Sequence, residues 1–94
     1  MANEGYHEDI DLLALSTQDM HRAIVSLMEE LEAVDWYQQR IDATGDQNLS
    51  DILAHNRDEE LEHAAMLIEW LRRNNRAFEA QLKKFLFTDK PITR

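Results

Sequence analysis

Cysteine is absent from the chain. That excludes disulfides and thiolate metal sites together, so any bound metal must be held by carboxylate and imidazole. Such ligands suit iron, manganese or zinc, while clusters of oxygen alone suit calcium or magnesium. Glycine occurs twice and proline once in 94 residues, and no strand pattern, internal repeat or low-complexity segment interrupts the chain. No apolar run approaches the roughly 20 residues needed to cross a bilayer. Met1 to Asp9 has neither the basic start nor the apolar core of a signal peptide, so the chain reads as soluble and cytoplasmic, with no membrane partner. Basic residues are scarce as well. Ten Lys and Arg stand against 19 Asp and Glu, a formal charge of −9. Such a surface repels phosphate backbones, which argues against a nucleic-acid partner, and it attracts cations.

What is present is enough for one small domain spanning residues 1–94. Domains this short are often marginal unless something staples or pairs them. Residues 1–9 are polar and read as disordered. A first helix is expected from about Asp9 or Ser16 to about Asp42, with Ser16-x-x-Asp19 as a weak capping signal. Ile24, Leu27, Met28, Leu31, Val34 and Ile41 recur along it at helical spacing. Ala43-Thr44-Gly45-Asp46-Gln47-Asn48 is the main breaker. A second helix follows from about Leu49 to Asn75, with Arg72, Arg73 and Arg76 near its end, where cations complement the helix dipole. A short third helix carries Phe78, Leu82, Phe85 and Leu86, and residues 88–94 form an irregular tail. Two long helices and a short turn make an antiparallel hairpin. A lone hairpin leaves part of each apolar stripe in water, and dimerisation into a four-helix bundle is the usual remedy.

The chemistry concentrates in one Glu-x-x-His step, Glu60-Leu61-Glu62-His63, and a matching glutamate, Glu30. Ala23, Leu27, Glu30, Val34 and Tyr37 share one face of the first helix. Leu49, Leu53, Asn56, Glu60, His63, Leu67 and Trp70 share one face of the second. Each face is apolar at its ends and acidic near its middle. An unpaired buried carboxylate is costly, and a bound cation would explain it. Di-iron carboxylate bundles take one Glu from each of two helices and a Glu-x-x-His from each of the other two. This chain carries one of each, half a site, so two chains are expected to meet at one metal centre. Against this, Glu30 at the edge of the stripe and a surface Glu60–His63 pair would be unremarkable in a glutamate-rich helix.

Two further clusters stand out. Glu29 and Glu32 are three apart, with Trp36 one turn beyond Glu32. They fit either an ion-entrance site beside an aromatic ring or a solvated acidic face. His55, Glu59 and Glu62 share a row that fits a peripheral cation site, calcium among the candidates, or an exposed polar stripe. Met20, Met28 and Met66 read as apolar filler, and His7 and His21 have no comparable setting.

Several long runs carry a family resemblance. His21-Arg22-Ala23-Ile24-Val25-Ser26, Met28-Glu29-Glu30-Leu31-Glu32-Ala33-Val34-Asp35-Trp36-Tyr37, Leu53-Ala54-His55-Asn56-Arg57-Asp58-Glu59-Glu60 and Glu62-His63-Ala64-Ala65-Met66 closely resemble the encapsulated ferritins. So do Glu69-Trp70-Leu71-Arg72-Arg73-Asn74, Phe85-Leu86-Phe87-Thr88 and Pro91-Ile92-Thr93. The resemblance implies a two-helix half-ferritin that pairs into a ferritin-like bundle, with a ferroxidase centre of two irons per dimer across the two-fold. It implies a ring-shaped decamer held as cargo in an encapsulin nanocompartment whose lumen stores the iron. By the same resemblance the iron ligands are Glu30, Glu60 and His63, with Tyr37 close by. Glu29 and Glu32 near Trp36 become the entrance site, and His55, Glu59 and Glu62 the peripheral one. Such proteins usually end in a short shell-targeting tail, and the sequence to Arg94 contains none.

The reading is thus an all-α hairpin with a short C-terminal helix, dimerising to oxidise Fe(II) to Fe(III) for iron storage. The alternatives are another di-iron oxidase or peroxidase, and a non-catalytic helical dimerisation module.

Overall fold

The computed structural model describes residues 5–94. The disorder expected of residues 1–9 falls in part on residues 1–4, outside the described residues. Residues 5–9 hold no regular structure. A single 3-10 turn, Ile10–Leu12, follows, begun by the Asp9 carboxylate accepting from the Asp11 N–H at 3.0 Å. Three α-helices follow among the described residues: α1 (Leu15–Ala43), α2 (Gln47–Asn74) and α3 (Arg76–Phe85). Among the described residues there is no strand, so the all-α reading holds.

The starts of the helices differ from the sequence expectation in instructive ways. Ser16 does not cap α1: it lies inside the helix, and Ala14 occupies the cap position without a side-chain bond. Asp19 is occupied instead by Arg22 at 2.7 Å. The segment before α1 is held by Gln18, whose amide donates to the Ile10 and Leu13 carbonyls at 3.4 and 3.3 Å. Helix α2 begins two residues earlier than expected, because Asp46 caps it by accepting from the Leu49 N–H at 3.0 Å. Asn75 ends α2 and caps α3 in one residue, its side chain accepting from the Phe78 N–H at 2.8 Å. Leu86 is the cap of α3 and not part of it. The next residue, Phe87, has φ 55, the left-handed position that usually takes glycine after a helix. Its ring is fully exposed.

Helices α1 and α2 form the antiparallel hairpin, and α3 packs on the end of α2. One guanidinium makes that second joint: Arg72 grips Glu69 on its own helix at 2.7 and 2.6 Å and reaches Glu79 on α3 at 2.7 Å.

The hairpin does not enclose a full core. Only Ala23, Ala64 and Leu71 are buried among the described residues, while Ile24, Met28, Leu31, Ile52, Leu61 and Met66 all stand exposed. The radius of gyration is 16.9 Å, against about 12 Å for a compact domain of this length. No helix is long and apolar enough to cross a membrane.

Candidate metal centre

The two rows read from helical spacing face one another except at Leu49 and Trp70, the ends of the second row, which are exposed. Ala23 is buried and Leu27, Glu30, Val34 and Tyr37 are half-buried along α1; Leu53, Asn56, Glu60, His63 and Leu67 are half-buried along α2. The flanking residues Glu29 and Leu31, and Glu59 and Leu61, are exposed. The acidic gaps therefore coincide, one from each helix.

At that level one ligand atom each from Glu30, Glu60 and His63 lie within 4.8 Å of one another. His63 Nδ1 stands 3.5 Å from Glu30 Oε2 and 3.5 Å from Glu60 Oε2. These are ion-pair separations, too long for good hydrogen bonds. Glu30 Oε2 is shut off from solvent and accepts no hydrogen bond, although a quarter of the Glu30 side chain is still exposed. Leaving a carboxylate oxygen desolvated and unpaired is unfavourable unless a cation or proton meets it. Two carboxylate oxygens and one imidazole nitrogen converging from two sides are a donor set for iron, manganese or zinc. Three donors leave such an ion under-coordinated, so the cluster has the makings of half a site.

The other sequence-selected residues stand apart from it. Glu29 and Glu32 are exposed. Glu29 borders a cleft formed with Tyr6, His21, Arg22 and Ser26. Trp36 is 49% exposed and sits against Gln39 and Arg40. Tyr37 points its ring toward the Arg40 guanidinium, 5.6 Å from the centroid. His55 Nε2 and Glu59 are joined at 2.6 Å on the surface, whereas Glu62 lines a different hollow with Met66, Trp70 and Arg73. Within one chain the peripheral trio is therefore a pair plus a separate glutamate.

Sequence spacing missed three arrangements. His21 has a buried, unpartnered Nε2 under the Tyr6 ring, whose centroid is 4.0 Å away. Arg57 of α2 donates to Gln38 of α1 at 2.7 Å. The Arg72 cluster ties α3 down and, with Arg73, holds the Glu69 carboxyl at about 2, well below the usual carboxylate range. The first two, and the reach of Arg72 to Glu79, join residues remote in sequence or set on different elements, which a single-helix pattern cannot reveal; the Glu69–Arg72 and Glu69–Arg73 pairs are three and four apart on α2.

A family profile described as EncFtn-like matches residues 5–89. The chain belongs to the EncFtn-like family. It is 61% identical over 92 residues to an encapsulated ferritin-like protein of Rhodospirillum rubrum, covering 98% of this chain and 66% of that protein. It is 56% identical over 90 residues to a ferritin-like protein of Thermotoga maritima, covering 96% of this chain and 79% of that one. The chain thus spans just under two thirds of the Rhodospirillum protein's length. A crystal structure of a Nitrosomonas europaea protein superposes with a TM-score of 0.90 at 61% identity, covering 96% of this chain and 99% of the other. For an EncFtn-like chain the Glu30, Glu60 and His63 cluster falls on the two elements that build the hairpin, and its many exposed apolar side chains lie on the same two helices.

Proposed function

We propose that this EncFtn-like chain is a ferroxidase, oxidising Fe(II) to Fe(III) at a di-iron centre shared between two protomers. The observation that carries the reading is the convergence of Glu30, Glu60 and His63, with Glu30 Oε2 desolvated and unpaired. Two copies related by a two-fold axis would supply four carboxylates and two imidazoles, the set used in ferritin-like bundles. Iron is the substrate. His63 binds as neutral imidazole through Nδ1, the nitrogen that faces both glutamates, and the carboxylates offset the charge of the ions. Dioxygen accepts the electrons. The exposed apolar residues flanking both rows, Ile24, Met28, Leu31, Leu61 and Met66, provide the surface through which the second protomer closes the bundle.

The surrounding residues take supporting roles. Glu29 and Glu32, exposed and acidic, attract Fe(II) near Trp36, and Tyr37 lies on the same row as Glu30, two turns nearer the hairpin turn. His55 and Glu59, with Glu62 from the same chain or another, form a weaker peripheral site able to take calcium. The family relationship supports a larger ring, a decamer, working in the cytoplasm within an encapsulin shell and passing Fe(III) to storage there.

Anaerobic loading with Fe(II), followed by dioxygen uptake and metal analysis, tests the proposal. About one iron per chain with oxygen-dependent turnover is the expected result. A native oligomer that binds no metal at neutral pH would leave only a helical dimerisation module.

A further inference from the structure

The three buried residues are unevenly placed. Ala64 adjoins His63, while Ala23 and Leu71 lie farther from the hairpin turn. Between the cluster and the turn no side chain is fully buried, and Val34, Tyr37, Ile41 and Leu53 are half-buried there, so the apolar packing of the two helices is looser on that side of the site. A polar bridge lies there. Arg57 Nη1 donates to Gln38 Oε1 at 2.7 Å across the hairpin. Each end is braced on its own helix. Arg57 Nε and Nη2 both donate to Asp58 Oδ1, at 3.1 and 3.0 Å, and Gln38 Nε2 donates to Asp42 Oδ1 at 3.0 Å. Gln38 is therefore fixed with its carbonyl toward α2, and the guanidinium is fixed with one N–H pair toward α1. Among the described residues this is the one side-chain hydrogen bond that joins α1 to α2 on the turn side of the cluster; at the far end Asn75, which closes α2, donates to Met20 Sδ of α1 at 3.2 Å.

We infer that Gln38 and Arg57 are positioning residues for the metal cluster, locking the rotation of α1 against α2 so that Glu30 faces Glu60 and His63. The inference rests on the proposed use of that cluster as a metal site. Arg57 lies one turn before Glu60, and Gln38 two turns beyond Glu30, about 12 Å along the axis. The three-residue turn limits how far the helices slide, while the half-buried packing beside it restrains their rotation less than a closed core would. A modest rotation of α1 swings Glu30 away, because its carboxylate extends well beyond the helix axis. Arg57 exerts little charge on the site, since Asp58 neutralises it.

Cobalt(II) is the probe, used alone and without dioxygen on the full-length oligomer. Its visible bands report coordination geometry and its titration reports affinity. Gln38→Leu keeps the size of the side chain and loses the acceptor; Arg57→Met loses the donor. Each is expected to weaken Co(II) binding by about tenfold, the scale of lost outer contacts at metal sites, and to alter the bands, while helix content stays at the wild-type level. Gln38→Glu restores an acceptor for Arg57, and Asp42, being exposed, turns to water; affinity and bands return toward wild type. Wild-type bands and affinity in both Gln38→Leu and Arg57→Met would overturn the positioning role and leave the ferroxidase reading intact. Failure of the wild-type protein itself to bind Co(II) would overturn both.

Discussion

Arg72 of α2 and Glu79 of α3 are joined at 2.7 Å, and the same guanidinium holds Glu69 of α2. Through this joint α3 keeps its angle to the hairpin. Arg72 and Arg73 depress Glu69 from 4.5 to about 2, first by their hydrogen bonds. Lys83 and then Arg72 lower Glu79 as well.

The joint therefore has an acid limit. A carboxyl depressed in the folded state stabilises it above the unfolded value and loses that contribution as pH falls toward the folded one. The window for Glu69 runs from about pH 4.5 down to about 2. Thermal unfolding followed across that range should show Tm falling with pH. Glu69→Gln should start lower at neutral pH and fall less steeply. An identical slope in the variant would show that the joint does not report acid through Glu69.

Glu30→Ala, Glu60→Ala and His63→Ala should each cut iron oxidation by at least about tenfold, as every change removes a ligand from both halves of a shared centre. In the metal-free protein the effect on stability should have the opposite sign for Glu30→Ala. Glu30 Oε2 is desolvated and unpaired, and its loss also relieves repulsion from Glu60. A Tm rise of a few degrees corresponds to about 1 kcal/mol in a domain this small. Wild-type oxidation rates in all three variants would end the assignment of the site.

Metal should favour assembly, because an ion that needs ligands from two chains binds only the dimer or a larger ring. Light scattering at dilute protein, with and without Fe(II) under nitrogen, reads this directly. The exposed apolar rows on α1 and α2 allow some association without metal, so the expected change is a shift to higher mass. A monomer that takes up two irons at unchanged mass contradicts the half-site.

Glu29 and Glu32 are exposed and outside the cluster. Glu29→Ala and Glu32→Ala should slow iron uptake severalfold at low Fe(II), yet the centre should still fill at saturation. Uptake should also be more sensitive to salt in the wild type than in the variants, since exposed charges are screened. An iron-soaked crystal of either variant with an empty centre would make these residues direct ligands.

Helical spacing was sufficient to place Glu30 in one row and Glu60 with His63 in another, since residues three and four apart share a face whatever surrounds them. It was sufficient for the hairpin too, because the breaker read from Ala43 to Asn48 contains the turn, which the structure narrows to residues 44–46. Family likeness then named the chemistry that those rows could serve. Spacing misjudged Ser16 as a cap, because tertiary contacts of Gln18 with the preceding segment set where α1 begins. The bridge from Arg57 to Gln38 spans 19 residues of sequence, and the joint from Arg72 to Glu79 crosses between helices. Neither has a periodicity to read, as both depend on how two rigid rods are turned about their own axes. The pattern of residues thus determined which side chains could share a face. The packing of the rods decided which faces meet, and so left Glu30, Glu60 and His63 together, with no other ion-pair partner among the described residues.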